Sequence, residues 1–188
     1  MTLLVPYRDR EEHLKEFVSC MRHHDIVIIE QADNKPFNRG KLINAGFLEI
    51  QPDHFCAHDI DMIPIKADYS YNMLTQMASS EIQKVDYLGG VTMYSKTDFL
   101  KAGGYHNDFW HRAEDNEMMF NLKRLNILVN KRKCTFRQLP HPRTGPEFIP
   151  ELWQKAQLFR TKDMLKTCEY KLISKEVKDG YTHLKVEL

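Results

Sequence analysis

Three things are scarce in this sequence: net charge, long apolar runs and paired cysteines. Its 27 Lys and Arg residues offset 26 Asp and Glu, which leaves a formal charge of +1. So even a balance gives no bulk attraction to nucleic acid or to an anionic membrane surface. The longest aliphatic run is Ile26 to Ile29, in "DIVIIE", far short of a transmembrane helix. The opening "MTLLVPYRDRE" lacks the charged start and long apolar centre of a signal peptide, so neither a span nor export is expected. Cys20, Cys56, Cys134 and Cys168 lie far apart and form no C-x-x-C pair. Free buried thiols in a reducing, cytoplasmic compartment are expected, rather than two disulfides. Repeats, low-complexity tracts and linkers are missing too. The 188 residues therefore read as a single domain, 1–188, with a sizeable core.

What is present is an alternation of element types. "TLLVPY" reads as a strand from Thr2 to Pro6. "REEHLKEFVSCMRHH" is an amphipathic helix with Leu14, Phe17, Val18 and Met21 on one face. "DIVIIEQ" has the continuous apolar character of a strand covered on both sides. "NRGKLINAGFLEI" is a second helix, and "HFCAHDID" a third strand that Pro64 stops. Strand, helix, strand, helix, strand implies an α/β fold with a mostly parallel central sheet flanked by helices. Ligands in such sheets sit at the carboxyl ends of strands, and Asp59 and Asp61 stand at such an end.

Beyond Pro64 the pattern loosens. "YNMLTQMASSEI" reads as a helix, and "YLGGVTMYS" as a strand with a glycine pair inside it. "KTDFLKAGGYHNDFW" gives a short helix and a loop. "EDNEMMFNLKRLN" is a helix with acids first and bases last, which suits its dipole. "KCTFRQL" is a strand, "PHPRTGP" a loop, and a helix follows from Pro150 to Leu165. "CEYKLISKEV" and "YTHLKVEL" form a C-terminal β-hairpin turning at Lys178–Gly180.

Several residues could carry chemistry, each beside a plainer reading. Asp59-Ile60-Asp61 sets two carboxylates close together, where they repel unless a divalent cation relieves the cost. Hard oxygens suit Mg²⁺ or Mn²⁺; the plainer reading is a turn. Arg8 and Arg10 follow the first strand, and Arg39 and Lys41 stand near the same edge. Guanidinium groups there suit phosphates, or else they are solvated helix starts. Gly89-Gly90 marks a close approach of backbone to a ligand or another strand. Glu114 and Asp115 open a helix, point about 100° apart and cannot share one task. A carboxylate at a helix start stays ionised, as a general base must, though simple capping gives the same sequence. His141 is either a solvated loop residue or the partner of an aspartate in a metal site.

The order of these motifs is more specific than any one of them. It resembles family 7 glycosyltransferases, the β-1,4-galactosyltransferases, which have a GT-A fold and use a UDP-sugar and Mn²⁺. "PYRDR" looks like that family's Pro-Phe-Arg-x-Arg, and "FNRGKLIN" is similar to its "FNRAKLLN". Asp59-Ile60-Asp61 resembles Asp-Val-Asp, "YLGGV" resembles Tyr-Phe-Gly-Gly-Val, and "WHRAED" resembles Trp-Gly-Trp-Gly-Gly-Glu-Asp. The closing hairpin is similar as well.

The resemblance implies that Pro6, Tyr7, Arg8, Arg10, Phe37 and Arg39 hold the UDP. Asp59 would touch the ribose, Asp61 and His141 would bind Mn²⁺ (or Mg²⁺), and Tyr87 and Gly90 would line the sugar pocket. Trp110 would join the donor-binding set, Glu114 would hold donor sugar or acceptor, and Asp115 would be the catalytic base. UDP-galactose is the expected donor, because a tyrosine at Tyr87 leaves little room for an N-acetyl group, and a glycan hydroxyl is the expected acceptor. "WHRAED" departs from the family: it is one residue short, lacks the glycines and has Arg112 where an aromatic stands. No counterpart of the ligand that precedes the family's histidine stands out, since Gln138 and Leu139 are weak candidates. The implied protein is a soluble enzyme of bacterial or viral type. Two other classes fit parts of the pattern: a nucleotide-sugar or glycan-binding module without turnover, and a nucleotidyltransferase.

Overall fold

The computed structural model describes residues 1–78, 88–110, 113–142, 150–158 and 163–188. Its elements run β1 (Thr2–Tyr7), α1 (Glu11–Met21), β2 (Asp25–Gln31), α2 (Arg39–Ile50), β3 (His54–His58), β4 (Met62–Lys66), β5 (Thr75–Ala78) and β6 (Val91–Ser95). They continue with α3 (Lys96–Ala102), α4 (Glu114–Arg124), β7 (Asn130–Lys133), β8 (Thr135–Gln138), α5 (Pro150–Leu158), β9 (Lys171–Lys178) and β10 (Tyr181–Glu187).

Eight strands make one sheet in the order β7-β5-β6-β3-β1-β2-β10-β9, and β4 pairs with β8 in a second, two-stranded sheet. The central strands β3, β1, β2 and β10 are parallel to one another. Antiparallel pairing extends the sheet through β6 and β5 on one side and β9 on the other. Alternation along the strands divides the core. Leu4, Val27, Ile29, Phe55 and Ala57 meet α2, α3 and α4 through Phe47, Phe99 and Met118. Leu3, Val5, Ile26, Ile28 and Cys56 meet α1 through Phe17 and Met21. Both faces are covered along β1, β2 and β3, so these strands carry continuous buried runs.

The first five elements follow the sequence reading; the middle of the chain does not. Pro64 ends no strand. It lies within β4, beside a register shift in the pairing with β8, and a proline is tolerated at such an edge because its missing N–H leaves no ladder bond unmade. Thr75–Ala78, read as part of a helix, is strand β5, held between β6 and β7; residues 71–74 of that stretch are not helical either, and 79–82 lie outside the described residues. Gly89 and Gly90 precede β6 instead of interrupting it. Helix α5 is described from Pro150 to Leu158; 159–162 lie outside the described residues, and 163–165, read as its end, are not helical. All four cysteines are free; Cys56 and Cys134 are buried, Cys168 is half-buried, and Cys20 is exposed, against the expectation of buried thiols throughout. No helix among the described residues is long and apolar enough to cross a membrane.

Candidate active site

The parallel strands end at one edge, and four segments gather there: the turn after β1, the start of α2, the turn after β3 and the coil after β8. Between them lies an open cleft of about 980 Å³ whose wall includes Pro6, Arg8, Arg10, Phe37, Arg39, Asp59, Asp61 and His141. Residues from both halves of the sequence motif set thus share one cavity. The Arg8 side chain lies over the Phe37 ring, 5.4 Å from its centroid, and donates to the Lys35 carbonyl at 2.6 Å.

The turn after β3 separates its two carboxylates. Asp59 N–H donates to the Gly90 carbonyl at 2.9 Å, and Met62 N–H closes the turn on the Asp59 carbonyl at 3.2 Å. Gly90 sits at φ +83°, in the left-handed region that a side chain disfavours. Its carbonyl holds the Asp59 backbone. His58, fully buried, adds a ring nitrogen 2.9 Å from the Asp59 carbonyl and another 2.8 Å from the Tyr69 hydroxyl. Burial pushes the His58 pKa down to about 4, so the ring is neutral at neutral pH.

From this turn Asp59 faces α2 and Asp61 faces β8. Arg39 Nε donates to Asp59 Oδ1 at 2.5 Å. Asp61 Oδ2 lies 3.2 Å from His141 Nε2 and accepts from Gln138 Nε2 at 3.2 Å. The Leu139 N–H donates to the Asp61 carbonyl at 2.7 Å and pins the coil after β8 in place. Neither carboxylate is unpaired, so the repulsion inferred from their spacing is already relieved by protein groups. Arg10 Nη2 approaches His141 Nδ1 at 3.1 Å, and the Pro142 carbonyl lies 3.0 Å from the same nitrogen, so the Nε2 edge of the ring is turned toward Asp61. The Asp61 carboxylate is a hard oxygen donor and the His141 imidazole a borderline nitrogen donor, a mixed pair that fits Mn²⁺ better than Mg²⁺. Gln138 was a weak candidate from sequence; its position at the end of β8, paired with Met62, is what brings it to Asp61.

Helix α4 begins against the start of α2. A Cβ on Gly40 would stand 3.0 Å from Tyr105 Cβ and 3.3 Å from Glu114 Cβ, so any larger residue would push α2 and α4 slightly apart. The contact lets Arg39 Nη1 donate to Asp115 Oδ1 at 2.8 Å. Arg39 Nη2 is buried with no partner among the described residues. Glu114 and Asp115 both lie against the start of α2, Glu114 beside Gly40 and Asp115 on Arg39, and no side chain caps the helix: its N-cap is Ala113, at φ +77°. Burial and then the charge of Asp115 raise the Glu114 pKa above the ordinary carboxylate range. Burial also raises Asp115, while the Arg39 guanidinium draws it back down.

Other expected site residues are placed differently. Tyr7 alternates with Pro6, packs among the residues under α1 and lines a second cleft there, so its side chain does not face the one Pro6 lines. Trp110 is half-buried, with Lys41 Nζ 5.9 Å from its ring centroid. Tyr87 and Arg112 lie outside the described residues.

Comparison with known proteins agrees with this architecture. Residues 1–73 match the model for the N-terminal region of glycosyl transferase group 7. Residues 76–143 match that for the N-terminal domain of galactosyltransferase. Human beta-1,4-galactosyltransferase 4 is 29% identical across the whole chain, which spans 63% of that relative's length. The catalytic domain of Drosophila beta1,4-galactosyltransferase 7, solved with xylobiose, superposes with a TM-score of 0.87 at 23% identity, covering 100% of this chain and 93% of that one. A mutant of the Drosophila enzyme in complex with manganese, UDP-Gal and xylobiose gives a TM-score of 0.85 at 24% identity, with the same coverage. The fold is that of these GT-A catalytic domains.

Proposed function

Because the chain belongs to glycosyltransferase family 7, we propose that it is an inverting, metal-dependent galactosyltransferase domain. It moves galactose, or a related hexose or N-acetylhexosamine, from a UDP-sugar to a glycan hydroxyl. The observation that supports this reading is the division of labour at the sheet edge. Asp61 is paired with His141, while Asp115 is paired with Arg39.

In this reading Arg8, Arg10 and Phe37 hold the nucleotide and Asp59 the ribose. Asp61 and His141, with the Gln138 amide beside them, would hold Mn²⁺ or Mg²⁺. When bound, the ion supplies positive charge to the leaving diphosphate. Asp115 accepts the proton of the acceptor hydroxyl as that oxygen forms its bond to the anomeric carbon. The bond from that carbon to UDP breaks on the opposite face, which inverts the configuration without a covalent intermediate. Glu114 holds donor sugar or acceptor. Tyr87 and Trp110 are assigned to the donor site by resemblance, and the preference for galactose rests on Tyr87. Residues 1–188 act as one catalytic domain, a proposal supported by a sheet that unites β1 with β10.

The test is a panel of UDP-sugars in a Mn²⁺-dependent thermal-shift screen, followed by transfer to a glycan acceptor array with the best donor. Metal-dependent stabilisation by UDP-galactose and a β-linked product are expected. Stabilisation by nucleoside triphosphates plus sugar phosphate, with no response to UDP-sugars, would sink the reading.

A further inference from the structure

The resemblance gives Arg39 to the nucleotide, yet two of its three nitrogens are committed to protein carboxylates. Nε bonds Asp59 at 2.5 Å and Nη1 bonds Asp115 at 2.8 Å. The guanidinium also lies over Tyr105, 5.8 Å from the ring centroid. Tyr105 is fixed in turn: its hydroxyl is 2.8 Å from that of Tyr94, and its N–H donates to Asn44 Oδ1 at 2.9 Å. Only 11% of the Arg39 side chain is exposed. A guanidinium cannot lose its proton under these conditions, and its planar fork meets two carboxylates at set angles.

We propose that Arg39 is a positioning residue that fixes Asp115 for proton abstraction and ties it to Asp59 on the donor side of the cleft. The role as base rests on the proposed function; the physical tie does not. The groups facing Asp115 are Arg39 from α2, Asp59 from the turn after β3, Glu114 from its own helix, Tyr105 from the segment before α4 and Tyr94 from β6. Arg39 is the cation among them. Asp59 and Arg39 act on Asp115 in opposite directions: the anion raises its pKa and the cation lowers it.

This opposition supplies the test. Carbon-detected NMR of isotopically labelled aspartates follows the Asp115 carboxyl through a pH titration, with its signal assigned by its absence in Asp115→Asn. Arg39→Lys retains a charge but cannot reach both carboxylates, and should move the Asp115 midpoint up by about one pH unit. Asp59→Asn should move it down. In a transfer assay the acid limb of kcat should follow these shifts, and Arg39→Lys should lose roughly 10- to 100-fold in kcat with little change in calorimetric affinity for UDP and Mn²⁺. An unmoved Asp115 midpoint with collapsed UDP affinity would overturn the proposal and return Arg39 to the nucleotide. If Arg39→Lys fails to fold, Asp59→Asn decides alone: a downward shift supports the tie, and an unmoved or upward midpoint overturns it. If the parent protein transfers no sugar, the proposed function fails, while the NMR titration still decides the role of Arg39.

Discussion

Replacing Gly40 with alanine should cost little stability and much turnover. The added Cβ would meet Tyr105 Cβ at 3.0 Å and Glu114 Cβ at 3.3 Å. Both are first side-chain atoms tied to backbone, so no rotamer change relieves the contact. The start of α2 must move from α4 by a few tenths of an ångström. Alanine regains up to about 1 kcal/mol of helix propensity, and overpacking costs about 1–3 kcal/mol. The net loss is about 1 kcal/mol, or about 2–4 °C in Tm for a domain of this size. The displacement falls on the residues beside the clash, Arg39 and Asp115, whose contact is 2.8 Å. A 1 Å misplacement of such groups costs about 10²-fold, so a partial one should lower kcat by about tenfold. Steady-state transfer from UDP-galactose and a thermal melt give both quantities. Parent-like kcat together with an unchanged or raised Tm would refute the argument that this close approach aligns the site.

Ala113→Gly should stabilise the fold by roughly 0.5–1 kcal/mol in urea unfolding, because φ +77° strains alanine by more than the extra chain entropy of glycine costs. Burial raises the Glu117 carboxyl to about 7, only partly offset by Arg124. An acid whose folded pKa exceeds its unfolded value destabilises the fold as it ionises, so stability should fall as pH rises through that value. Glu117→Gln should remove a pH-dependent loss on the order of 3 kcal/mol, read as unfolding free energy at pH 5 and pH 8. Asp61→Asn should abolish Mn²⁺-dependent UDP binding in calorimetry, since it sets a neutral amide against a hard cation; unchanged affinity would remove Asp61 from the metal site.

The elements legible in the sequence are those whose pattern is their cause. DIVIIEQ became β2 because burial on both faces demands a continuous apolar run. Asn130–Lys133 became β7 with no such pattern; its strand state comes from pairing with Thr75–Ala78, which no local signal encodes. That pairing and the one with β6 overrode the helical reading of β5. At the site, the residue types at the strand ends were readable, but their partners were not. The Arg39 bond to Asp115 spans 76 positions, and the Gln138 bond to Asp61 spans 77. The direction of Tyr7 could have been found from its alternation with Pro6, a signal outweighed by the motif around it.

The long reach of these contacts has a kinetic consequence. Arg10 meets His141 across 131 positions of chain, and closing loops of that size precedes any energetic return from the contact. The β1–α1–β2 unit can dock early through near neighbours, but the cleft is complete only when the coil after β8 arrives. Metal-dependent nucleotide binding should therefore appear with the slowest refolding phase, later than helical signal. A nascent chain that stops short of β8 would carry Asp61 without His141 and Gln138, the groups that pair with it, and would expose that carboxylate to the cell until synthesis caught up.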